Sequence, residues 1–217
     1  MKRGLLALTL ALMTTSAAAG DCVVLLHGLG RSQWSLKVMQ YALERAGYQV
    51  WNRGYASRSD TVENLAPVVG DAIEACRAHQ PAKIHFVTHS MGGILVRAYF
   101  SNHVVPEAGR VVMLAPPNHG SAIAENHRTR AWFRWFTGPA GQQLGTAADS
   151  LPNRLPAPPL EVGVIAGRYD GKVSVESTRL AGMKQHLVVY TAHTFIMNSP
   201  AVIRQVKAFL KDGAFEI

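Results

Sequence analysis

The feature that most constrains this chain is a serine on a tight turn between an apolar strand and an apolar helix. KIHFVT (residues 83–88) is β-prone, HSMGG (residues 89–93) is the turn, and ILVRAYF (residues 94–100) is typical of a buried helix. This succession predicts a nucleophile elbow, a strained turn that pushes the Ser90 hydroxyl out of the sheet. Gly92 has no Cβ, so the helix can pass close beneath the strand.

Apolar strand-like segments alternate with helical periodicity along most of the chain. The predicted strands are residues 23–26, 48–51, 83–88, 109–115, 160–167 and 187–190. A helix is predicted over residues 33–46, and Asp60 is predicted to cap a long helix. Strands joined by helical crossovers predict an α/β fold, with a mostly parallel sheet of about six strands and helices on both faces.

One long segment, residues 118–159, interrupts this alternation. It is rich in Gly, Pro, Ala and polar residues, and it contains the aromatic cluster WFRWF at residues 132–136. We interpret the segment as an insertion at the carboxyl ends of the strands. The aromatic cluster is either the insertion's own small core or a lid and acyl-pocket wall that meets lipid.

The amino terminus has the pattern of a signal peptide. Lys2 and Arg3 precede an apolar run at residues 5–13, which is too short to span a bilayer, and AAA (residues 17–19) supplies a cleavage pattern. We predict a signal peptide at residues 1–19, a mature domain at residues 20–217, and a periplasmic or extracellular location. Lipidation of Cys22 is not expected, because Asp21 stands where a small residue is needed.

The two cysteines, Cys22 and Cys76, are the only pair in the chain. An oxidising compartment favours a structural disulfide between them over two free buried thiols. Their number and spacing do not suggest zinc. Glu125 and His127 form only a weak candidate for a metal pair.

The composition narrows the classes of function. The 217 residues are 48% hydrophobic and 17% charged, which indicates one domain with a real core. The net charge of +8 is scattered without a run of lysines, so we predict no nucleic-acid partner. A solvated basic surface is the preferred interpretation, with attraction to anionic lipid or envelope polymers as the alternative. GLG (residues 28–30) lacks the third glycine of a dinucleotide loop, and we predict no cofactor.

Four short segments follow predicted strands at the carboxyl edge of the sheet, where catalytic and ligand-binding residues lie in parallel sheets. Ser90, Asp170 and His193 occur in this order, and HGL (residues 27–29) follows the first strand. His193 can accept the serine proton near neutral pH, because the unperturbed pKa of histidine is about 6.5. Asp170 would hold the tautomer of His193. The backbone N–H groups of Leu29 and Met91 would stabilise the oxyanion.

These segments resemble the α/β-hydrolases of the bacterial lipase and esterase type. The matching segments are VVLLHGL (residues 23–29), HSMGG (89–93), PPNHGS (116–121), DGKV (170–173) and HTF (193–195). The resemblance implies an α/β-hydrolase fold with a cap or lid insertion. It also implies a Ser90–Asp170–His193 triad with Leu29 and Met91 at the oxyanion hole. One departure is Thr88, where the family usually has Gly.

The expected function is an exported serine hydrolase that cleaves carboxylic esters through an acyl-enzyme on Ser90. The expected substrate is a small-molecule ester with an apolar acyl chain, and contact with a lipid surface would occur through the insertion. Two alternatives stay open. The same triad could transfer an acyl group or cleave a thioester or an amide, or the chain could be a non-catalytic binding protein with this fold. His27 is expected to shape the oxyanion loop, His89 to pack beside Ser90, and His119 to hold the base of the insertion.

Overall fold

A six-stranded parallel sheet forms the centre of residues 20–216, the part of the chain that the computed structural model describes. The predicted signal peptide at residues 1–19 lies outside these described residues. The strands are β1 Cys22–Leu26, β2 Gln49–Trp51, β3 Ile84–His89, β4 Ala108–Leu114, β5 Val162–Gly167 and β6 Gln185–Val189. The order is β2-β1-β3-β4-β5-β6, and each neighbouring pair is parallel. The predicted α/β fold is confirmed.

Helices cover both faces of this sheet. The α-helices among the described residues are α1 Lys37–Glu44, α2 Val62–Leu65, α3 Pro67–Arg77, α4 Met91–Phe100, α5 Ala122–His127, α6 Ala131–Gln142, α7 Leu151–Arg154 and α8 Pro200–Asp212. The core on one face includes residues of α2, α3 and α4, together with Phe133 of α6. The core on the other face includes residues of α1 and α8.

The continuous apolar strands are explained by this double covering. Val24 and Leu26 of β1 pack into the core with α3 and α4, whereas Val23 and Leu25 pack into the core with α1 and α8. Successive side chains of a strand point to opposite faces, so a strand covered on both sides needs apolar residues throughout.

The helix predicted to begin at Asp60 is in fact two helices, and its cap is Thr61. The Thr61 hydroxyl accepts the Asn64 N–H at 3.4 Å, while the Asp60 carboxylate accepts the Thr61 N–H at 2.7 Å. Pro67 begins α3 because proline has no N–H with which to continue the hydrogen-bond ladder of α2. The prediction of a single capped helix is therefore wrong at this point.

The predicted disulfide is present in the structure. It joins Cys22, the first residue of β1, to Cys76 near the end of α3, with 5.9 Å between the two Cα atoms. Both residues are buried in the core between the sheet and α3. The bond thus closes a loop that contains α1, β2 and α2.

Within residues 20–216, every helix is too short or too polar to cross a bilayer.

We predict that the double substitution Cys22→Ala and Cys76→Ala lowers the free energy of unfolding. The two cysteines are 54 residues apart, and the chain-entropy model gives about 4 kcal/mol for a closed loop of that length. Urea unfolding of the oxidised protein and of the variant measures the difference. An unchanged unfolding midpoint would contradict a stabilising role, and alkylation without reduction should modify neither cysteine of the oxidised protein.

Candidate active site

Ser90 occupies a strained turn between β3 and α4. Its backbone has φ 53° and ψ −123°, a region that non-glycine residues rarely adopt and that costs on the order of 1–3 kcal/mol. Two backbone bonds hold the turn: the Ser90 N–H donates to Leu114 O at 2.8 Å, and the Gly93 N–H donates to Ser90 O at 3.0 Å. The turn therefore has the geometry that the HSMGG sequence predicts.

Two glycines allow the backbone to pack tightly around this serine. A Cβ on Gly92 would lie 2.5 Å from the carbonyl oxygen of Leu26, at the end of β1. A Cβ on Gly28 would lie 3.0 Å from the Ser90 Cβ. The close approach of α4 to β1 therefore requires Gly92, and Gly28 lets the loop after β1 touch the serine.

Asp170 and His193 form a hydrogen-bonded pair at the same sheet edge. Asp170 follows β5 and His193 follows β6, and His193 Nδ1 donates to Asp170 Oδ2 at 2.6 Å. The other carboxylate oxygen accepts the backbone N–H groups of Lys172 and Val173 at 2.8 and 2.9 Å. The Asp170 side chain is only 1% exposed. This arrangement orients the ring of His193 and assigns the proton to Nδ1.

Ser90 and His193 line one cavity of about 310 Å³. No hydrogen bond joins the Ser90 hydroxyl to the His193 ring, although the structure describes both residues fully. Hydrogen bonds of this kind are often long without substrate and shorten when substrate binds. The structure thus brings the three predicted side chains to one site. The hydrogen bond between Asp170 and His193 is formed, and the one between Ser90 and His193 is not.

His89 does more than pack beside the serine. Its Nε2 donates to the backbone carbonyl oxygen of His193 at 3.0 Å, and the two rings lie 4.8 Å apart between centroids. Burial lowers the pKa of His89 well below its ordinary value, and the neighbouring His193, Arg31 and Lys172 lower it further. His89 is therefore a neutral donor that fixes the backbone of the loop holding His193.

The loop after β1 is held by residues that the sequence patterns did not identify. Tyr55 donates its hydroxyl to His27 O at 2.6 Å and its N–H to His27 Nε2 at 3.3 Å, with the rings stacked at 4.2 Å. His27 Nδ1 then donates to Gly28 O at 2.9 Å, and Ser57 Oγ accepts the Gly30 N–H at 3.0 Å. Burial lowers the pKa of His27, which keeps its ring neutral. The prediction that His27 shapes this loop agrees with these contacts.

The two proposed oxyanion donors belong to segments next to the serine. Met91 is the first residue of α4 and is fully buried, and Leu29 is half-buried on the wall of the cavity. One donor thus comes from the start of a helix, where N–H groups face outward. The other comes from the loop that Tyr55 and Ser57 hold.

The segment predicted as an insertion supplies the apolar wall of the cavity. Its residues there include Ile123, Ala124, Trp132, Phe133, Phe136, Thr137, Gly141 and Leu144. Phe133 is buried in the main core, whereas Trp132 and Phe136 are 51% and 56% exposed. Phe133 thus packs into the main core rather than into a separate core of the insertion, and all three rings line the cavity.

A buried arginine, Arg97 of α4, attaches the insertion to the helix behind Ser90. Its guanidinium donates to Asn118 Oδ1, Pro152 O and Pro156 O at 3.2, 2.8 and 3.2 Å, and also to Leu155 O. Burial lowers the pKa of Arg97 to about 10, so the side chain stays charged at neutral pH. His119 adds a bond from Nδ1 to Asn153 Oδ1 at 2.8 Å, in agreement with its predicted role.

Glu125 and His127, the weak candidate for a metal pair, make other contacts. Glu125 accepts the backbone N–H groups of Thr146 and Ala147 at 2.9 and 3.3 Å, and the His127 ring packs near Trp132. Within residues 20–216, no three His, Cys, Asp or Glu side chains are grouped so that they could hold a metal ion.

A sequence comparison identifies one family. The model of the Alpha/beta hydrolase family matches residues 23–206, which covers most of this chain. No curated protein matches the sequence.

Solved structures show the same fold. The mature lipase BlEst2 of Bacillus licheniformis has a TM-score of 0.69 at 15% identity, with 91% of this chain and 93% of that chain covered. Its propeptide form has a TM-score of 0.71 at 19% identity, with 92% of this chain and 51% of that chain covered. A thermophilic esterase of Thermogutta terrifontis has a TM-score of 0.63 at 16% identity, with 89% and 90% covered. This chain thus spans nearly all of the mature lipase and about half of its propeptide form.

The neutral buried histidines predict that acid destabilises the fold. Below about pH 6.5 the unfolded chain protonates His27 and His89, whereas the folded chain resists protonation because burial lowers both pKa values. The unfolded state then binds more protons, so the free energy of unfolding falls as the pH falls. We expect a loss of about 1 kcal/mol at pH 5.5 for each histidine that stays neutral.

Urea unfolding between pH 7.5 and 5.5 measures this loss. His89→Gln keeps a donor toward His193 O and removes the titrating ring, so its stability should depend less on pH than that of the wild type. His79→Gln is the matched control, because His79 is exposed. If the free energy of unfolding depended equally on pH in the wild type and in the His89 variant, the assignment of His89 as a neutral buried donor would be contradicted.

Proposed function

Because this chain belongs to the alpha/beta hydrolase family, we propose that it is a serine hydrolase that cleaves carboxylic esters through an acyl-enzyme on Ser90. The observation that supports this most strongly is that Ser90, on its strained turn, and His193, which is hydrogen-bonded to Asp170, line one cavity. The fold is shared with a bacterial lipase and an esterase, which is in keeping with an ester substrate.

The first half of the proposed reaction forms the acyl-enzyme. Ser90 Oγ attacks the ester carbonyl carbon while its proton passes to His193 Nε2, and Asp170 stabilises the resulting imidazolium through Nδ1–H. The carbonyl oxygen becomes an oxyanion that the N–H groups of Leu29 and Met91 stabilise. The intermediate collapses, the C–O bond to the alcohol breaks, and His193 gives its proton to the departing alcohol.

The second half releases the acid. Water loses a proton to His193 Nε2 as its oxygen attacks the acyl carbon, and a second oxyanion forms in the same pocket. His193 then returns the proton to Ser90 Oγ as the acyl–oxygen bond breaks. The strained turn and the two bonds to Asp170 from Lys172 and Val173 keep the groups oriented through both halves.

The apolar wall of the cavity supports an apolar acyl group as the substrate's acid half. Ile123, Phe133, Leu144 and Val173 line the same cavity as Ser90 and His193. Each methylene that leaves water for such a wall contributes about 0.8 kcal/mol to binding. We assign residues 118–159 the role of a cap over this acyl site.

Exposed aromatic side chains on this cap support contact with a lipid surface. Trp132, Trp135 and Phe136 are 51%, 77% and 56% exposed, and all three belong to α6. Large aromatic rings that stay in water at a substrate entrance fit the boundary between water and lipid.

Export of the protein is the remaining part of the proposal. The signal-peptide pattern of residues 1–19 and the disulfide Cys22–Cys76 support an oxidising periplasmic or extracellular location. A mature amino terminus near Gly20, read by sequencing protein from the cell envelope or the medium, would agree with export, and an intact Met1 would contradict it.

We predict that a fluorophosphonate probe labels the wild-type protein and that Ser90→Ala abolishes both labelling and ester hydrolysis. Only a serine activated by a base reacts with this probe at neutral pH, and loss of the nucleophile typically costs several orders of magnitude in kcat. Intact-mass measurement of the labelled protein gives the stoichiometry, which should be one.

Ser101→Ala is the matched control for this experiment. Ser101 follows the far end of α4 and is exposed, and its hydroxyl bonds to Ala98 O at 2.7 Å. This variant should react like the wild type. A folded wild-type protein that ignores the probe would support a non-catalytic binding role instead.

We further predict that kcat/KM for p-nitrophenyl esters rises from acetate to chains longer than butyrate. Each added methylene that the apolar wall buries should raise kcat/KM by about fourfold until the wall ends. Phe133→Ala should weaken this rise, and acetate should be least affected. A sharp loss of activity above butyrate in the wild type would contradict the apolar acyl site.

A further inference from the structure

A second cavity adjoins the first one at Gly30, which lines both. It has a volume of about 580 Å³ and is lined by Gly30, Arg31, Tyr55, Ala56, Ser57, Arg58, Ser59 and Trp135. We name it the arginine cavity. Its lining comes mainly from the loops after β1 and β2, and Trp135 of the cap completes it.

The charge of the arginine cavity is entirely positive. Arg31 and Arg58 line it, and neither forms an ion pair with a carboxylate among the described residues. In the part of the chain that the structure describes, no Asp or Glu lines either cavity, and Lys172 adds a third cation at the first cavity. Asp60, close by in the sequence, is bound to Thr61 and Asn64. Cations grouped without counter-charges at a cavity indicate an anionic ligand.

Arg58 is held in place by the cap. Its Nη1 donates to Phe136 O at 3.2 Å, and Gly138, with φ 64°, packs so tightly against the Arg58 carbonyl oxygen that a Cβ would overlap it. Ser57, its neighbour, accepts the Gly30 N–H from the oxyanion loop. Three segments distant in sequence thus meet at Ser57 and Arg58, which places a charge beside the site at a defined position.

We propose that the arginine cavity binds a phosphate group on the alcohol half of the ester. The linings of the two cavities set the direction. The apolar wall around Ser90 takes the acyl chain, so the adjoining cationic cavity, which shares Gly30 with it, receives the leaving alcohol. Two guanidinium groups match the several oxygens of a phosphate, because each can donate two parallel hydrogen bonds. The exposed ring of Trp135 forms the outer wall. This inference deepens the ester hydrolysis proposed above and rests on it.

The test compares two esters with the same acyl chain: a monoacylglycerol, and the same compound with a phosphate on its free terminal hydroxyl. The wild type should favour the phosphate ester by at least about tenfold in kcat/KM, which is the usual effect of one charge-assisted bidentate contact. Arg31→Gln and Arg58→Gln should each reduce this preference by about tenfold. The change should appear mainly in KM, because the phosphate is bound equally in the ground state and the transition state.

Arg45→Gln is the matched control. Arg45 is exposed and follows α1, whose end lies at the opposite edge of the sheet. The substitution therefore removes the same charge at a position far from the site. It should leave the preference unchanged. Equal kcat/KM for the two esters in the wild type, or an equal loss in the Arg45 variant, would overturn the phosphate site while leaving ester hydrolysis standing.

A binding measurement separates this inference from the proposed reaction. In calorimetry, glycerol 3-phosphate should bind the wild type at least about tenfold more tightly than the double variant Arg31→Gln and Arg58→Gln. This result is independent of catalysis, so it decides the inference even if no ester is cleaved. Inorganic phosphate that binds as tightly as glycerol 3-phosphate, with no preference between the esters, would assign the cavity to free phosphate and overturn the inference.

Discussion

The whole site depends on the left-handed backbone of Ser90. That conformation is unfavourable by itself, and it persists because β3 and α4 on either side of it are buried in the middle of the molecule. Gly92 lies against the end of β1 and Gly28 lies against the serine, so three elements enclose a single residue. The burial of two complete elements outweighs a strain of a few kcal/mol, and the serine has little freedom to relax.

Positive charges serve two different purposes around this turn. Arg97 is buried, and its neutral carbonyl partners are spread over the carboxyl-terminal part of the cap, so its removal would leave several buried acceptors without donors. Arg31 and Arg58 line a cavity and have no carboxylate partner within residues 20–216. The first arginine stabilises the structure because its bonds are internal, whereas the other two are available to a ligand.

Much of the site could be predicted from local sequence. Ser90, Asp170 and His193 were identified because each lies within a few residues of the end of an apolar strand, and in a parallel sheet those ends share one edge. Sequence patterns do not identify Tyr55 or Ser57, and they assign His89 only a packing role. Tyr55 and Ser57 act on the loop at residues 27–30, some 27 residues earlier, and His89 acts on a carbonyl 104 residues away. No spacing rule in one sequence connects such partners.

The sequence by itself determined the alternation of strands and helices, the turn at Ser90 and the order of the site residues, because these follow from the periodicity of apolar side chains and from backbone sterics within a few residues. Tertiary structure alone decided that α6 buries Phe133 at the cavity wall and leaves Trp132 half-exposed there, and that Arg58 meets the cap at Phe136 and Gly138. Those contacts depend on how surfaces far apart in the chain fit together, and short-range patterns do not contain that information.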